Sequence, residues 1–361
     1  MEILRYAAIA VFLNATVGTV AAAQSPAPWR LEPIATIEGP TDDEPFGMVR
    51  HMALHADGRL VVVDMKPPRV TMFDARGKFI GVIGRTGSGP GEYRDPYSVA
   101  WLGDTLAIYD PREARILFMT QGASYLRVQR MMSLSGPYHV RFYPVSGRKA
   151  YLWQSTPTGR GSVFVGVGSG RPDTIVVPQA SDADMIACRV GSEIRMLKPP
   201  AALRSIAVPV AADGSIAVGS NLFFDLQIMR DGQQVGSVKR TDFVYYPMSD
   251  VHWSLELSEY NAHVQKYGQG SCRNKPQRPP HVPAVKAVTV ADNGDIWVYV
   301  TGRNESGFHV FSPTGQWRGR VVPPAGLFVE IPVVVSGDRA AFVLLDKDGV
   351  QTVRLFRIIR H

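Results

Sequence analysis

Gly58-Arg-Leu-Val-Val-Val-Asp64 returns 46 positions later as Asp104-Thr-Leu-Ala-Ile-Tyr-Asp110, and Arg69-Val70 returns at the same offset as Arg115-Ile116. A β-rich unit of roughly forty residues cannot bury its apolar faces alone, so copies of it must stack. A period of that size is the period of a propeller blade.

Outward from these stretches, short β-branched runs alternate with Asp-Gly and Asn-Gly turns along the whole chain. The first unit has Met52 to His55, Leu60 to Val63, Arg69 to Phe73 and Phe79 to Ile83, and the second has Ser98 to Leu102, Leu106 to Tyr109, Arg115 to Met119 and Tyr125 to Arg130. A third unit lies between His139 and Val177, a fourth between Ile206 and Lys239, and a fifth between Val285 and Val321. Turn glycines fall 19 apart in the first unit (58 to 77), 18 in the fourth (214 to 232) and 21 in the fifth (294 to 315), so one four-strand module recurs. The last unit, from Ile331 to Ile359, is one strand short, while Arg30 to Glu38 is a lone strand ahead of the first. An open ring would expose two sheet edges, so the N-terminal strand is expected to complete the final blade. The expectation is an all-β, six-bladed propeller over residues 24–361 with one short helical insertion. Seven blades is the runner-up, because residues 180–203 could hide a poor one.

Residues 1–23 read as an export signal, with Arg5 ahead of an apolar run and Ala21-Ala22-Ala23 before Gln24. Asn14, Thr16, Gly18 and Thr19 interrupt that run too often for a comfortable membrane span, and no later segment approaches one. The expected location is the periplasm or the cell exterior. Lys and Arg number 39 against 32 acidic residues, a surplus of +7 spread without a basic block, which disfavours nucleic acid as a partner. Hydrophobic residues at 45% allow a real core, so bulk disorder is not the reading.

Two insertions depart from the repeat, residues 180–203 and 249–280, and loops on a rigid scaffold are where binding concentrates. In the second, Trp253, Leu257, Tyr260, Val264 and Tyr267 fall at helical spacing and predict one helix ending at Gly268. Trp253, Tyr260 and Tyr267 are candidate lid residues, with packing onto the propeller as the plainer role. Cys188 and Cys272 are the only cysteines, one in each insertion. In an exported chain an even pair is expected to oxidise to a disulfide, which would contribute about 3 to 5 kcal/mol, the Cα separation being the deciding quantity. Two separate thiols are the other reading.

The run Gly84-Arg-Thr-Gly87-Ser-Gly89-Pro90-Gly91-Glu92-Tyr93-Arg-Asp-Pro96 resembles the inter-blade linker of exported bacterial six-bladed propellers related to NHL-repeat and TolB-like proteins. The resemblance is strong over residues 46–130 and rests elsewhere on blade shape. It implies architecture and an envelope location rather than an activity. Glu92 reads as a structural acceptor for loop N–H groups. Relatives of this shape include calcium-dependent lactonases and esterases, and peptide-amide lyases that use zinc.

Inner strands of a propeller begin around the mouth of the central channel. The residues expected there are Arg50, His51, Tyr97, His139, Arg141, Arg204, Lys286 and Glu330. A mostly cationic ring favours an anionic ligand, because arginine can grip a carboxylate or phosphate through two donors. Hydration of a bare channel is the plainer alternative. For calcium, Glu330 is the one acid at the mouth, with Asn221 and Asn304 past strand ends, so the ligand count falls short. For zinc, His51, His139, His252 and His281 lack ligand spacing. No Gly-x-Ser-x-Gly elbow and no phosphate loop occur. The expected function is therefore a monomeric binding module for a small molecule, peptide or glycan, or for an envelope protein, without a required cofactor. A metal-dependent lyase or hydrolase is the alternative.

Overall fold

The computed structural model describes residues 27–41, 43–131, 141–146, 148–155, 161–168, 174–178, 186–197, 205–272 and 276–360. The export signal read at 1–23 lies outside them. Six four-stranded antiparallel sheets make the blades. From the axis outward the first is Val49–Leu54, Leu60–Met65, Pro68–Phe73 and Phe79–Val82, and the second is Ser98–Leu102, Thr105–Asp110, Arg115–Thr120 and Tyr125–Arg130. The third is Phe142–Ser146, Lys149–Ser155, Gly161–Gly168 and Thr174–Pro178, and the fourth is Ser205–Pro209, Ile216–Ser220, Asp225–Arg230 and Gln233–Lys239. The fifth is Val285–Val290, Ile296–Thr301, Ser306–Phe311 and Trp317–Val321.

The sixth blade takes Val334–Ser336, Arg339–Leu345 and Gln351–Ile359 from the C-terminal end, and Arg30–Ile37 as its outermost strand. Arg30 pairs with Ile359 and Ile37 with Val353, antiparallel, so the ring closes as the missing strand required. Residues 180–203 do not supply a seventh blade: their described part is a two-stranded hairpin, Ile186–Val190 with Glu193–Leu197.

Packing follows from burial on both faces. Leu60, Val61, Val62 and Val63 are all at 0% exposure, which is why a continuous apolar run, rather than strict alternation, forms this second strand. Outermost strands alternate poorly and carry exposed Phe79, Ile80, Leu126 and Val128. Each pair of neighbouring blades shares its own core: Val61 and Met72 with Val99 and Leu106 between the first and second, Phe342 and Phe356 with Trp297 and Phe308 between the sixth and fifth. Polar stitches join neighbouring inner strands. The Val99 N–H donates to His51 Nδ1 (3.4 Å), the Phe142 N–H to Ser98 Oγ (2.8 Å), and Thr289 Oγ1 to the Val333 carbonyl (3.2 Å).

The repeated aspartates now have a physical role. Asp64, fully buried, accepts from the N–H groups of Gly47, Met48 and Lys66 at 3.2, 2.8 and 3.1 Å and pairs with Arg69 at 3.2 Å. Asp110 accepts from the N–H groups of Arg94 and Asp95 at 2.9 and 3.3 Å, with Arg115 at 3.8 Å. Each carboxylate thus ties the connection entering a blade to that blade's second strand. The glycine-rich connection is held by Glu92, whose carboxylate accepts from the Gly89 N–H (2.8 Å) and pairs with Arg85 (2.7 Å). These contacts hold its carboxyl below the usual range. A Cβ at Gly87 would meet that carboxylate, so a side chain there would push the Glu92 carboxyl out of these contacts.

The single helix expected at 253–267 is two, α1 (Asp250–Glu256) and α2 (Ser258–Tyr267). Leu257 leaves the helical region at φ −85°, ψ 1° as its side chain turns inward, and Ser258 starts a new helix that ends at Gly268. Among the described residues no helix is long and apolar enough to cross a membrane.

Replacing Asp64 by Ala removes the acceptor of the Gly47, Met48 and Lys66 N–H groups and leaves Arg69 with Glu44 and the Glu44 and Pro45 carbonyls, and is expected to lower unfolding free energy by about 3 to 5 kcal/mol. The exposed turn residue Asp213 should cost no more than about 1 kcal/mol on the same change. Urea unfolding of the two variants checks the contrast.

Candidate functional site

The six inner strands enclose an axial cavity of about 300 Å³. Its walls are mainly apolar: Ala53 and Leu54 from the first blade, Trp101 from the second, Phe142 from the third, Val288 and Val290 from the fifth, and Val334 and Val335 from the sixth. His51 and Arg141 face it near the strand starts. His55, Asp104, Ser146, Arg148, Asp292 and Ser336 rim it at or beyond the strand ends.

Of the residues expected at the channel mouth, the structure brings four together. Arg50 donates through Nη1 to the Tyr97 hydroxyl at 3.3 Å, and its guanidinium lies 4.7 Å from the centre of the Tyr97 ring. The Arg50 Nε is buried without a hydrogen-bond partner among the described residues. Arg141 lies 4.8 Å from the Tyr143 ring centre. Burial, followed by the charge of Arg141, pushes the His51 imidazole down to about 3. The imidazole is therefore neutral at working pH. Burial lifts the Tyr97 hydroxyl above its ordinary value against the pull of Arg50 and Arg141. Neither arginine has a carboxylate at ion-pairing distance among the described residues, although the charge of Asp95 reaches Arg50 and Tyr97, so two guanidinium groups stand against one more distant carboxylate at the edge of an apolar cavity.

The other expectations separate from this cluster. Lys286 is exposed and does not line the cavity. Glu330 is also exposed, in a turn four positions ahead of Val334, because Pro332 cannot donate to a ladder and the inner strand starts late. His139 and Arg204 lie outside the described residues. His252 bonds to Ser249 (2.9 Å) and His281 stacks on Tyr245 (4.2 Å between ring centres). With His51 they make no common ligand group.

The lid candidates sit away from the cavity. Tyr260 packs with Ile186, Cys188 and Leu197 of the hairpin, Tyr267 is exposed beside His263, and Trp253 is half-buried. None of the three lines the cavity. Cys188 and Cys272 are joined by a disulfide, which ties the hairpin to the helical insertion. Both insertions precede an inner strand, of the fourth and fifth blades, and so rise from the face on which Arg50 and Tyr97 sit.

Sequence reasoning passed over the opposite rim. His55 Nδ1 lies 2.8 Å from Asp57, its Nε2 lies 3.5 Å from Asp104, and its ring is 4.8 Å from Trp101. Burial raises the Asp57 carboxyl, but hydrogen bonds from Arg59 and His55 outweigh it and hold the group well below the usual range. Asp292 accepts from Ser336 Oγ at 2.6 Å and from the Gly337 N–H at 3.1 Å. The signal was present in the turns after the inner strands, His55-Ala-Asp-Gly58, Gly103-Asp104 and Asp292-Asn-Gly294.

A family model described as a 6-bladed beta-propeller matches residues 40–159. No curated protein matches the sequence. Among solved structures, 92% of the chain is similar to 96% of a Bacteroides fragilis protein described in terms of export, at 13% identity and a TM-score of 0.49. A structure described as a gluconolactonase is similar at 9% identity, over 93% of this chain and 96% of its own, with a TM-score of 0.44. Streptogramin B lyase is similar at 9% identity, over 92% and 98%, with a TM-score of 0.40. These likenesses carry no activity over to this chain.

Buried imidazoles give the protein a pH signature. Burial, with Arg240 and Arg320 nearby, lowers His309 to about 4, and His51 stands at about 3, against 6.5 for a free imidazole. Between pH 6.5 and those values the unfolded chain takes up protons that the folded one refuses, so acidification removes stability there, by up to about 1.4 kcal/mol per pH unit for each histidine. The urea midpoint should fall from about pH 6.5 to about 4.5, above the range in which carboxylates contribute most. In His51→Asn, which keeps an acceptor for the Val99 N–H, that slope should be smaller.

Proposed function

We propose that this protein is an exported binding module that holds an anionic small molecule in its central channel, with the anion at Arg141 and Arg50 and an apolar body between the inner strands. The observation that carries this reading is Arg141. It lines a largely apolar cavity, and no carboxylate among the described residues pairs with it. A guanidinium partly removed from water gains most from an anion that offers it two acceptors. The Arg50 Nε, buried without a partner, points to the same need. Neutral His51 adds a polar contact without another charge, and the Tyr97 hydroxyl stays protonated. The carboxylate of a peptide or of an acidic glycan meets the same chemistry, provided an apolar portion fills the channel.

Export rests on the leader at 1–23, and places the ligand in the periplasm or outside the cell. The competing reading, a metal-dependent lyase or hydrolase, would require several histidines or carboxylates converging on one point of the channel. The described channel residues offer no such trio.

Calorimetry with octanoate, octylammonium and 1-octanol tests the proposal. Octanoate should bind, octylammonium should not, and 1-octanol should bind more weakly than octanoate. Arg141→Gln should weaken octanoate binding about thirtyfold, equivalent to about 2 kcal/mol. Equal binding of the cation, no binding of octanoate, or an unchanged affinity in Arg141→Gln would overturn the reading.

A further inference from the structure

Away from the channel, the hairpin at 186–197 and the end of the helical insertion bring Cys188, His263 and Cys272 together. One ligand atom from each lies within 4.8 Å of the others. Cys188 is fully buried, and His263 is only 5% exposed on α2. The His263 Nε2 is buried with no hydrogen-bond partner among the described residues. Leaving such a nitrogen unsatisfied is costly, and the same ring brings one of its two nitrogens within reach of both sulfurs, so the imidazole calls for a role. Its aromatic neighbour Tyr267, 4.8 Å away between ring centres, makes no hydrogen bond to it among the described residues.

We propose that reduction of the Cys188–Cys272 disulfide opens a three-ligand site for Zn²⁺ made of Cys188, Cys272 and His263. A small thiol or phosphine reductant supplies two electrons and is itself oxidised. The S–S bond breaks, and each sulfur takes up one proton from solvent. Zinc then displaces both thiol protons to solvent, binds the two thiolates and accepts the lone pair of an imidazole nitrogen, and water fills the fourth position. Two thiolates and an imidazole suit a soft or borderline ion better than calcium or magnesium. The ion would link the segments that the disulfide links covalently, so the two insertions stay tied in either redox state.

The test uses the full mature chain, oxidised and then reduced under anaerobic conditions. Reduced protein should take a single Zn²⁺ from a chromogenic chelator, and Cd²⁺ should produce thiolate-to-metal charge-transfer absorption. Oxidised protein should do neither, and the Cys188→Ser/Cys272→Ser variant should lack the charge-transfer band. His263→Ala should weaken zinc binding about tenfold or more. Since loss of the disulfide can loosen the insertions, unfolding midpoints of the reduced proteins are compared with and without Zn²⁺. Zinc should raise the midpoint of the reduced wild type well beyond that of His263→Ala. No uptake by the reduced wild type, equal affinity in His263→Ala, or equal stabilisation of the two would overturn the proposal.

Discussion

The rest of the architecture depends on one strand pairing, Arg30–Ile37 against Gln351–Ile359. A blade in this ring is buried on both faces only because it has a neighbour on each side. The cores are shared between blades rather than enclosed within them, so Phe342 finishes its packing on Trp297 and Phe308 while Ala341 and Val343 pack with Met52 and Leu60. The sixth blade joins the two ends of the polypeptide, and the Val49 N–H, at the start of the first blade, donates to the Gln351 side chain. Closing the circle converts a row of marginal sheets into a single cooperative object. It also fixes the axial cavity, whose walls come from strands far apart in sequence.

Within that circle the buried aspartates set where each inner strand begins. Asp64 and Asp110 receive the N–H groups of the residues that lead into the first and second inner strands. The polar side chains at those strand starts, Arg50 with His51 and Tyr97, are held beside the channel by this anchoring. A sequence repeat that looks like turn punctuation is therefore also the device that aims the candidate site.

The blades were legible because their signals are local: apolar runs of strand length, glycine turns at regular spacing, and a last unit lacking one strand. The insertion at 180–203 was harder, since a poor blade and a hairpin look alike until pairing is seen. At the site, His51 and Arg141 could be placed from strand starts alone. Glu330 could not, because Pro332 delays the inner strand and Ile331 instead donates back to the Phe328 carbonyl at 3.2 Å. His55 and Asp104 were overlooked for the opposite reason, as they stand in turns treated as punctuation although the turns rim the cavity. His263, three positions after Tyr260 and four before Tyr267, borders the Trp253–Tyr267 stripe and was passed over. It is buried in the middle of α2, near the two cysteines that join the hairpin to the insertion, a contact between distant segments that no local signal announces.

The disulfide spans 84 positions, and the whole of the fourth blade lies inside that interval. Chain scission anywhere in the fourth blade would leave two fragments still covalently tied, with the cut ends held within the ring. A protease could nick that blade without releasing either piece, and tolerance of such damage is a property of the covalent loop rather than of the sheets.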